Sequence, residues 1–90
     1  MTKRIAVLVR DRQAEALRMA LGLVLLDDTV DVYVLDRKLE DSEENRLHLS
    51  TLKEFDFPVY TNHPANAELE WLPDAEIAQR LPQYDHALFY

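Results

Sequence analysis

The side chains best suited to chemistry lie where the apolar runs of the chain end. They are Arg10, Arg12, Asp36, Arg37, Thr61, Asn62 and His63. If the runs are parallel strands, these ends meet at the edge of the sheet where open α/β proteins bind ligands. Arg10 and Arg12 beside a helix N-terminus could hold an anion, and His63 could transfer a proton at neutral pH. The alternative is that the arginines pair with Asp11 and Asp36 and that His63 is only solvated.

The residue counts exclude several kinds of site. The chain has no cysteine, which excludes a disulfide, a thiolate metal site and a cysteine nucleophile within it. Its one glycine, Gly22, cannot form a glycine-rich phosphate loop. The three histidines (His48, His63 and His86) are not three or four residues apart, and no HExxH motif occurs. We therefore predict no metal site and no cofactor.

Charge and hydropathy restrict the partners. The chain has 10 Lys and Arg against 17 Asp and Glu, a formal net charge of −7. An acidic surface repels phosphate backbones, so we expect no nucleic-acid partner. No apolar run is long enough to span a membrane, and the apolar part of MTKRIAVLVRDR is too short for a signal peptide. The expectation is a cytoplasmic protein without a membrane partner.

The candidate residues need a framework of alternating strands and helices. Residues 5–9 and 30–35 are apolar runs typical of strands buried on both faces, and an amphipathic pattern over 12–26 predicts a helix between them. Asp41-Ser42-Glu43-Glu44 resembles a capping box that begins a second helix, which we expect to end near Phe55.

The rest of the chain repeats the pattern in shorter form. We predict a strand over 57–60, a long loop over 61–73, a helix over 75–81 and a strand over 85–90. Residues 1–90 should then form a single domain, an α/β fold with a small three-layer α/β/α sandwich of the flavodoxin-like type. Its sheet should have four strands and be mainly parallel.

The first predicted helix is apolar around most of its circumference. Ala14, Leu17, Leu21, Val24 and Leu25 share one face, which we expect to lie on the sheet. Ala16, Met19, Leu23 and Leu26 lie on the other side. A short chain has little material to cover both faces, so these four residues are candidates for a homo-oligomer interface. The alternative is that other segments of the same chain cover them.

Three segments resemble the DsrE/DsrF-like family of small sulfur-relay proteins, which includes the Tus proteins of transfer-RNA thiolation. They are KRIAVLVRDRQAEALRMALGLVLLDDTVDVYVLD, FPVYTN and YDHALFY. The resemblance implies a small α/β/α sandwich that assembles into dimers, trimers or hexamers. It also implies a persulfide-bearing cysteine, in active members, in the loop after the third strand. Here that loop begins Thr61-Asn62-His63, so the sulfur-carrier role does not carry over, because a thiolate must bear the persulfide.

These observations lead to two functional hypotheses. The first is a non-catalytic DsrE-like protein, an oligomeric subunit that binds a partner protein or a small ligand, linked to sulfur metabolism through the resemblance. The second is a small enzyme that acts on an anionic substrate at the carboxyl edge of the sheet, using His63 with Arg10, Arg12 or Asp36. The missing cysteine favours the non-catalytic hypothesis.

Overall fold

The computed structural model of the protein describes residues 3–24 and 29–90. In order, these residues form β1 (Arg4–Val9), α1 (Gln13–Val24), β2 (Thr29–Val34), α2 (Glu43–Glu54), β3 (Val59–Thr61), β4 (Glu70–Trp71), α3 (Asp74–Arg80), a 3₁₀ turn (Leu81–Gln83) and β5 (His86–Phe89). Leu25 and Leu26, which we predicted to be helical, and the side chain of Val24 lie outside this description.

The described residues build one sheet of five parallel strands in the order β4-β3-β2-β1-β5. The predicted α/β fold is confirmed, but the predicted count of four strands is wrong. The additional strand, β4, lies within the predicted loop 61–73 and pairs with β3, and the Leu72 N–H donates to the Thr61 carbonyl at 2.8 Å. A two-residue strand is too short to show the alternation that identifies a strand in a sequence.

The direction of each crossover places the helices in two layers. The chain steps from β1 to β2 and on to β3 in one direction, so right-handed crossovers put α1 and α2 on the same face of the sheet. It returns from β4 to β5 across the whole sheet, so α3 lies on the opposite face. The result is the three-layer α/β/α sandwich expected from the sequence.

Alternation along the strands divides the core in the same way. Ile5, Val7 and Val9 of β1 are buried beneath α1 and α2, in a cluster that also contains Leu49 and Leu52 of α2. The alternate residues of β1 face α3, where they pack in a second cluster with Ile77. Burial on both faces explains why residues 5–9 of β1 form a continuous apolar run.

The orientation of α1 corrects one of the interface predictions. The helix turns its polar strip, which contains Arg18 and Gly22, to the solvent. The residues opposite that strip therefore face the sheet, and Ala16, Leu17 and Ala20 are fully buried. Ala16 is thus a core residue and not an oligomer contact.

The other interface candidates differ in exposure. Met19 is 41% exposed, whereas Leu23 is partly buried against the α1 and α2 core cluster. Leu26 lies outside the described residues.

The helices α2 and α3 begin close to their predicted positions. Ser42 caps α2, because its Oγ accepts the Asn45 N–H at 3.1 Å. Helix α3 begins at Asp74, one residue before the predicted start, and its N-cap is Pro73. No helix formed by residues 3–24 and 29–90 is long and apolar enough to cross a bilayer.

Candidate functional site at the carboxyl edge of the sheet

The ends of β1 and β2 are joined by two crossed ion pairs. The Arg10 Nε lies 3.2 Å from an Asp36 carboxylate oxygen, and the Arg37 guanidinium lies 2.7 Å from the Asp11 carboxylate. The sequence left open whether Arg10 and Arg12 bind an anion or pair with neighbouring acids, and the structure has Arg10 paired with Asp36. All four side chains are more than half exposed, so each pair stabilises the fold by no more than about 1 kcal/mol.

Arg12 points away from these pairs. Its guanidinium binds the Glu15 carboxylate and lies over the Tyr90 ring, with its carbon 5.6 Å from the ring centre. It also lines a shallow depression at the N-termini of α1 and α2, together with the acidic residues Asp11, Glu15, Glu40 and Glu44. Four carboxylates beside one arginine make this depression unfavourable for an anionic substrate.

The backbone donors at the switch point of the sheet already have a partner. The strand order reverses at β1, which lies between β2 and β5, and this is where open α/β folds bind anions. Here the N–H groups of Arg10 and Asp11 both donate to the Tyr90 carbonyl, at 2.9 and 3.1 Å. The chain itself therefore occupies these two backbone donors, which are not available to an anion.

Asn62 connects the end of β2 with the start of α3. Its Oδ1 accepts the Asp36 N–H at 2.7 Å, and its Nδ2 donates to the carboxylates of Asp36 and Asp74 at 3.0 and 2.8 Å. Asp36 has a φ of 65°, a left-handed conformation that Asp adopts more readily than most residues. Asn62 therefore holds the turn after β2 in place.

Thr61 is the buried centre of this edge. Its Oγ1 donates to the Val34 carbonyl at 2.8 Å and accepts from the His63 N–H at 3.1 Å and from the Asn66 Nδ2 at 2.9 Å. A hydroxyl has one hydrogen to donate and two lone pairs, so its capacity is fully used. Thr61, which we predicted to begin the loop and which is the last residue of β3, thus has a structural role.

His63 does not join the charged residues. Its Nδ1 accepts the Ala65 N–H at 3.2 Å, which places the proton of the neutral ring on Nε2. Within the described part of the chain, the His63 side chain forms no hydrogen bond or ion pair with Arg10, Arg12 or Asp36. The structure therefore does not assemble the catalytic group that the enzyme hypothesis requires.

Asn66 is an important residue that the sequence analysis missed. It is 7% exposed, and its Oδ1 accepts the Leu39 N–H at 2.7 Å. Its Nδ2 donates to the Arg37 carbonyl and to the Thr61 Oγ1, both at 2.9 Å. One side chain thus joins the loops after β2 and β3. An asparagine in a polar loop commonly hydrogen-bonds to its own turn, and nothing in the sequence distinguishes this longer-range role.

A second polar cluster lies on the α3 face of the sheet, away from the carboxyl edge. The Tyr84 hydroxyl donates to the Asp31 carboxylate and lies 2.6 Å from the Tyr33 hydroxyl. Burial, followed by the hydrogen bonds to Asp31 and Tyr33, raises the pKa of Tyr84. Arg80 stacks on the Tyr60 ring nearby, 5.0 Å from its centre. These contacts attach α3 and the turn after it to the sheet.

No described cluster of three or more His, Asp or Glu residues could hold a metal ion. A cavity of about 260 Å³ lies between the loop after β2, the start of α2 and residues 65–69. None of the candidate site residues lines it.

Comparisons of the chain with protein-family models, curated proteins and solved structures found no match.

Proposed function

We propose that the protein is a non-catalytic DsrE-like binding protein, an oligomeric cytoplasmic subunit that binds a partner protein or a small ligand. Its place in sulfur metabolism rests on the resemblance of its sequence to the sulfur-relay family. The five-stranded α/β/α sandwich agrees with the architecture that the resemblance implies.

The observation that carries the proposal is the hydrogen bonding at the carboxyl edge of the sheet, where the polar groups pair with one another. Thr61 uses its full hydrogen-bonding capacity, and Asn62 makes three hydrogen bonds. The Tyr90 carbonyl takes the backbone donors at the switch point. An edge whose polar groups satisfy one another supports the fold and has little left for chemistry on a substrate.

The helical layer of α1 and α2 is the proposed surface for a second protein chain. Met19, Leu47 and Phe55 are exposed there by 41, 65 and 56%. Burial of such side chains in an interface is favourable by roughly 25 cal/mol per Å² of apolar surface. Among the described residues of the interface predicted from the sequence, Met19 is the exposed one and is the residue to test.

The test is the mass of the protein in solution, measured by light scattering during size-exclusion chromatography over a range of concentrations. We expect an oligomer that Met19→Asp converts to the monomer, because a buried unpaired carboxylate is costly. Phe89→Asp is the matched control, since Phe89 is 72% exposed on the edge strand β5. A monomeric mass at every concentration refutes the oligomer. If Phe89→Asp dissociates the oligomer and Met19→Asp does not, the interface lies on β5 and not on α1.

The enzyme hypothesis has less support. It requires His63 to act with Arg10, Arg12 or Asp36, but Arg10 binds Asp36 and Arg12 binds Glu15. A screen of anionic substrates with wild-type protein and His63→Ala tests it. Turnover that disappears in the variant, while its unfolding free energy is unchanged, contradicts the non-catalytic proposal.

A further inference from the structure

Trp71 is the only tryptophan of the chain, and it lies on the outermost strand of the sheet, β4. The residue is 54% exposed. A large apolar ring in water is unfavourable, and tryptophan is enriched among the residues that contribute most to binding at protein interfaces. The exposed ring therefore marks β4 as a surface for a partner.

The backbone of Trp71 faces the open side of the sheet. Along a strand, successive residues direct their N–H and C=O groups to opposite neighbours. Leu72, the next residue, donates its N–H to the Thr61 carbonyl of β3 at 2.8 Å. The N–H and C=O groups of Trp71 therefore point away from β3, and no strand formed by residues 3–24 and 29–90 lies beyond β4. A residue of an added strand could exchange two hydrogen bonds with them.

The surroundings of β4 are acidic. Residues 54–79 contain no Lys or Arg, and Glu68 and Glu70 within this segment are exposed. Neither glutamate belongs to an ion pair in the described part of the chain, whereas Arg80, the next cation along the chain, is paired with Glu76. A positively charged partner is therefore attracted to this edge and finds carboxylates that no arginine or lysine of the fold occupies.

These charges decide which chain can add to β4. A second copy of the protein would bring Glu70 against another acidic edge, and each copy has a formal net charge of −7. Short, charged edge strands protect natural sheets from pairing with copies of themselves. That protection does not act against a basic chain, because guanidinium groups pair with carboxylates and stack on an indole ring.

We propose that β4 binds an extended, arginine-containing segment of a partner protein. The residue that faces Trp71 exchanges two main-chain hydrogen bonds with it and lays its guanidinium on the indole ring. The neighbouring side chains of the segment project from the opposite face of the sheet, as Glu70 does. The proposal rests on the partner-binding function proposed above, and it adds a surface and a partner chemistry separate from the layer of α1 and α2.

The experiment is a titration of the full chain with an acetylated and amidated pentapeptide that has three arginines between two valines. The single tryptophan makes the fluorescence emission a direct report on Trp71. We expect a saturable change in this emission, together with saturable shifts of the Trp71 and Leu72 backbone amides in NMR spectra of the ¹⁵N-labelled protein. The absence of both saturable changes overturns the proposal.

Three further probes separate the parts of the interaction. The pentapeptide with glutamate in place of arginine reverses the charge and should show no saturable binding. The arginine peptide N-methylated at its arginines keeps the charge but lacks the N–H groups that pair with a sheet edge, and it should bind roughly threefold or more weakly. Arginine amide is a free small cation and should bind at least about tenfold more weakly. Binding of any of these probes as tight as that of the arginine peptide overturns the proposal.

Variants locate the site. Trp71→Ala should weaken binding of the arginine peptide roughly tenfold, followed by the backbone amides because this variant has no tryptophan. Phe89→Ala is its matched control, since Phe89 is an exposed aromatic residue on the opposite edge strand, β5, and should bind as the wild type does. Glu70→Gln should weaken binding by roughly two- to fivefold, the range of an exposed ion pair, whereas Glu54→Gln, on α2, should leave it unchanged.

Wild-type affinity in Trp71→Ala, or an equal loss in Phe89→Ala, overturns the location of the site. Failure of this proposal is separable from failure of the oligomer proposal through the mass in solution. An oligomer that binds no arginine peptide overturns the β4 site alone, and a monomer that binds the peptide overturns the oligomer alone.

Discussion

Asn62 and Asn66 form a matched pair for measuring how burial increases the contribution of hydrogen bonds to the free energy of unfolding. Both lie in the loop after β3, and each makes three hydrogen bonds through its amide. Asn66 is 7% exposed, whereas the bonds of Asn62 are exposed to solvent. Replacing each asparagine by alanine removes the same groups from two different environments.

The expected magnitudes follow from the partners left behind. At a net value of about 0.5–1.5 kcal/mol per bond, the three bonds of Asn66 sum to roughly 1.5–4.5 kcal/mol. Water cannot easily replace a partner at the buried Thr61 hydroxyl, so we expect Asn66→Ala to cost about 3 kcal/mol. Water reaches the partners of Asn62, so Asn62→Ala should cost about 1 kcal/mol or less.

Urea denaturation followed by circular dichroism measures both values. A domain of this length has a total stability of roughly 5–13 kcal/mol, so about 3 kcal/mol is a large fraction. A loss of about 3 kcal/mol should lower the melting temperature by roughly 12–24 °C. Equal costs for the two variants, within about 0.5 kcal/mol, would refute the reasoning that burial sets the value of the Asn66 bonds.

Three further predictions concern single side chains. Ser42→Ala removes the N-cap of α2 and should lower the free energy of unfolding, measured in urea, by about 1 kcal/mol. Its control is Ser50→Ala, on the exposed face of α2, which should change that free energy by less than about 0.5 kcal/mol. Thr61→Val keeps the shape of a buried side chain but loses its hydroxyl, and should cost about 1–3 kcal/mol, while Thr61→Ser should recover part of that loss. Because the pKa of Tyr84 is raised in the folded protein, its contribution is present below the ordinary tyrosine pKa of about 10 and is lost as pH rises through the folded-state value. Tyr84→Phe should therefore make the unfolding free energy fall less steeply above about pH 10, and an unchanged slope would contradict the role of Tyr84.

Patterns within about a dozen neighbouring residues were enough to predict most elements. The apolar runs that form β1 and β2 and the helical spacing between them predict a βαβ unit, because burial on both faces leaves a local signature. The capping residue Ser42 is likewise readable, because a cap acts on the backbone three residues away. The absence of cysteine follows from composition alone.

Contacts between segments that are distant in the sequence determine the features that local patterns did not predict, which are the orientation of α1 and the strand β4. The rotation of α1 that buries Ala16 depends on which side of an almost wholly apolar helix meets the sheet. Strand β4 forms where the backbone of Glu70 and Trp71 reaches β3, and two residues leave no periodic signal.

The candidate site shows the same division. The sequence was enough to place Arg10, Asp36 and Thr61 near the ends of strands, at one edge of the sheet. Only the tertiary structure decided that Arg10 would pair with Asp36 and that the Thr61 hydroxyl would be fully hydrogen-bonded. The physical reason is that local propensities place a residue along the chain, whereas its hydrogen-bond partners depend on which loops the fold brings together.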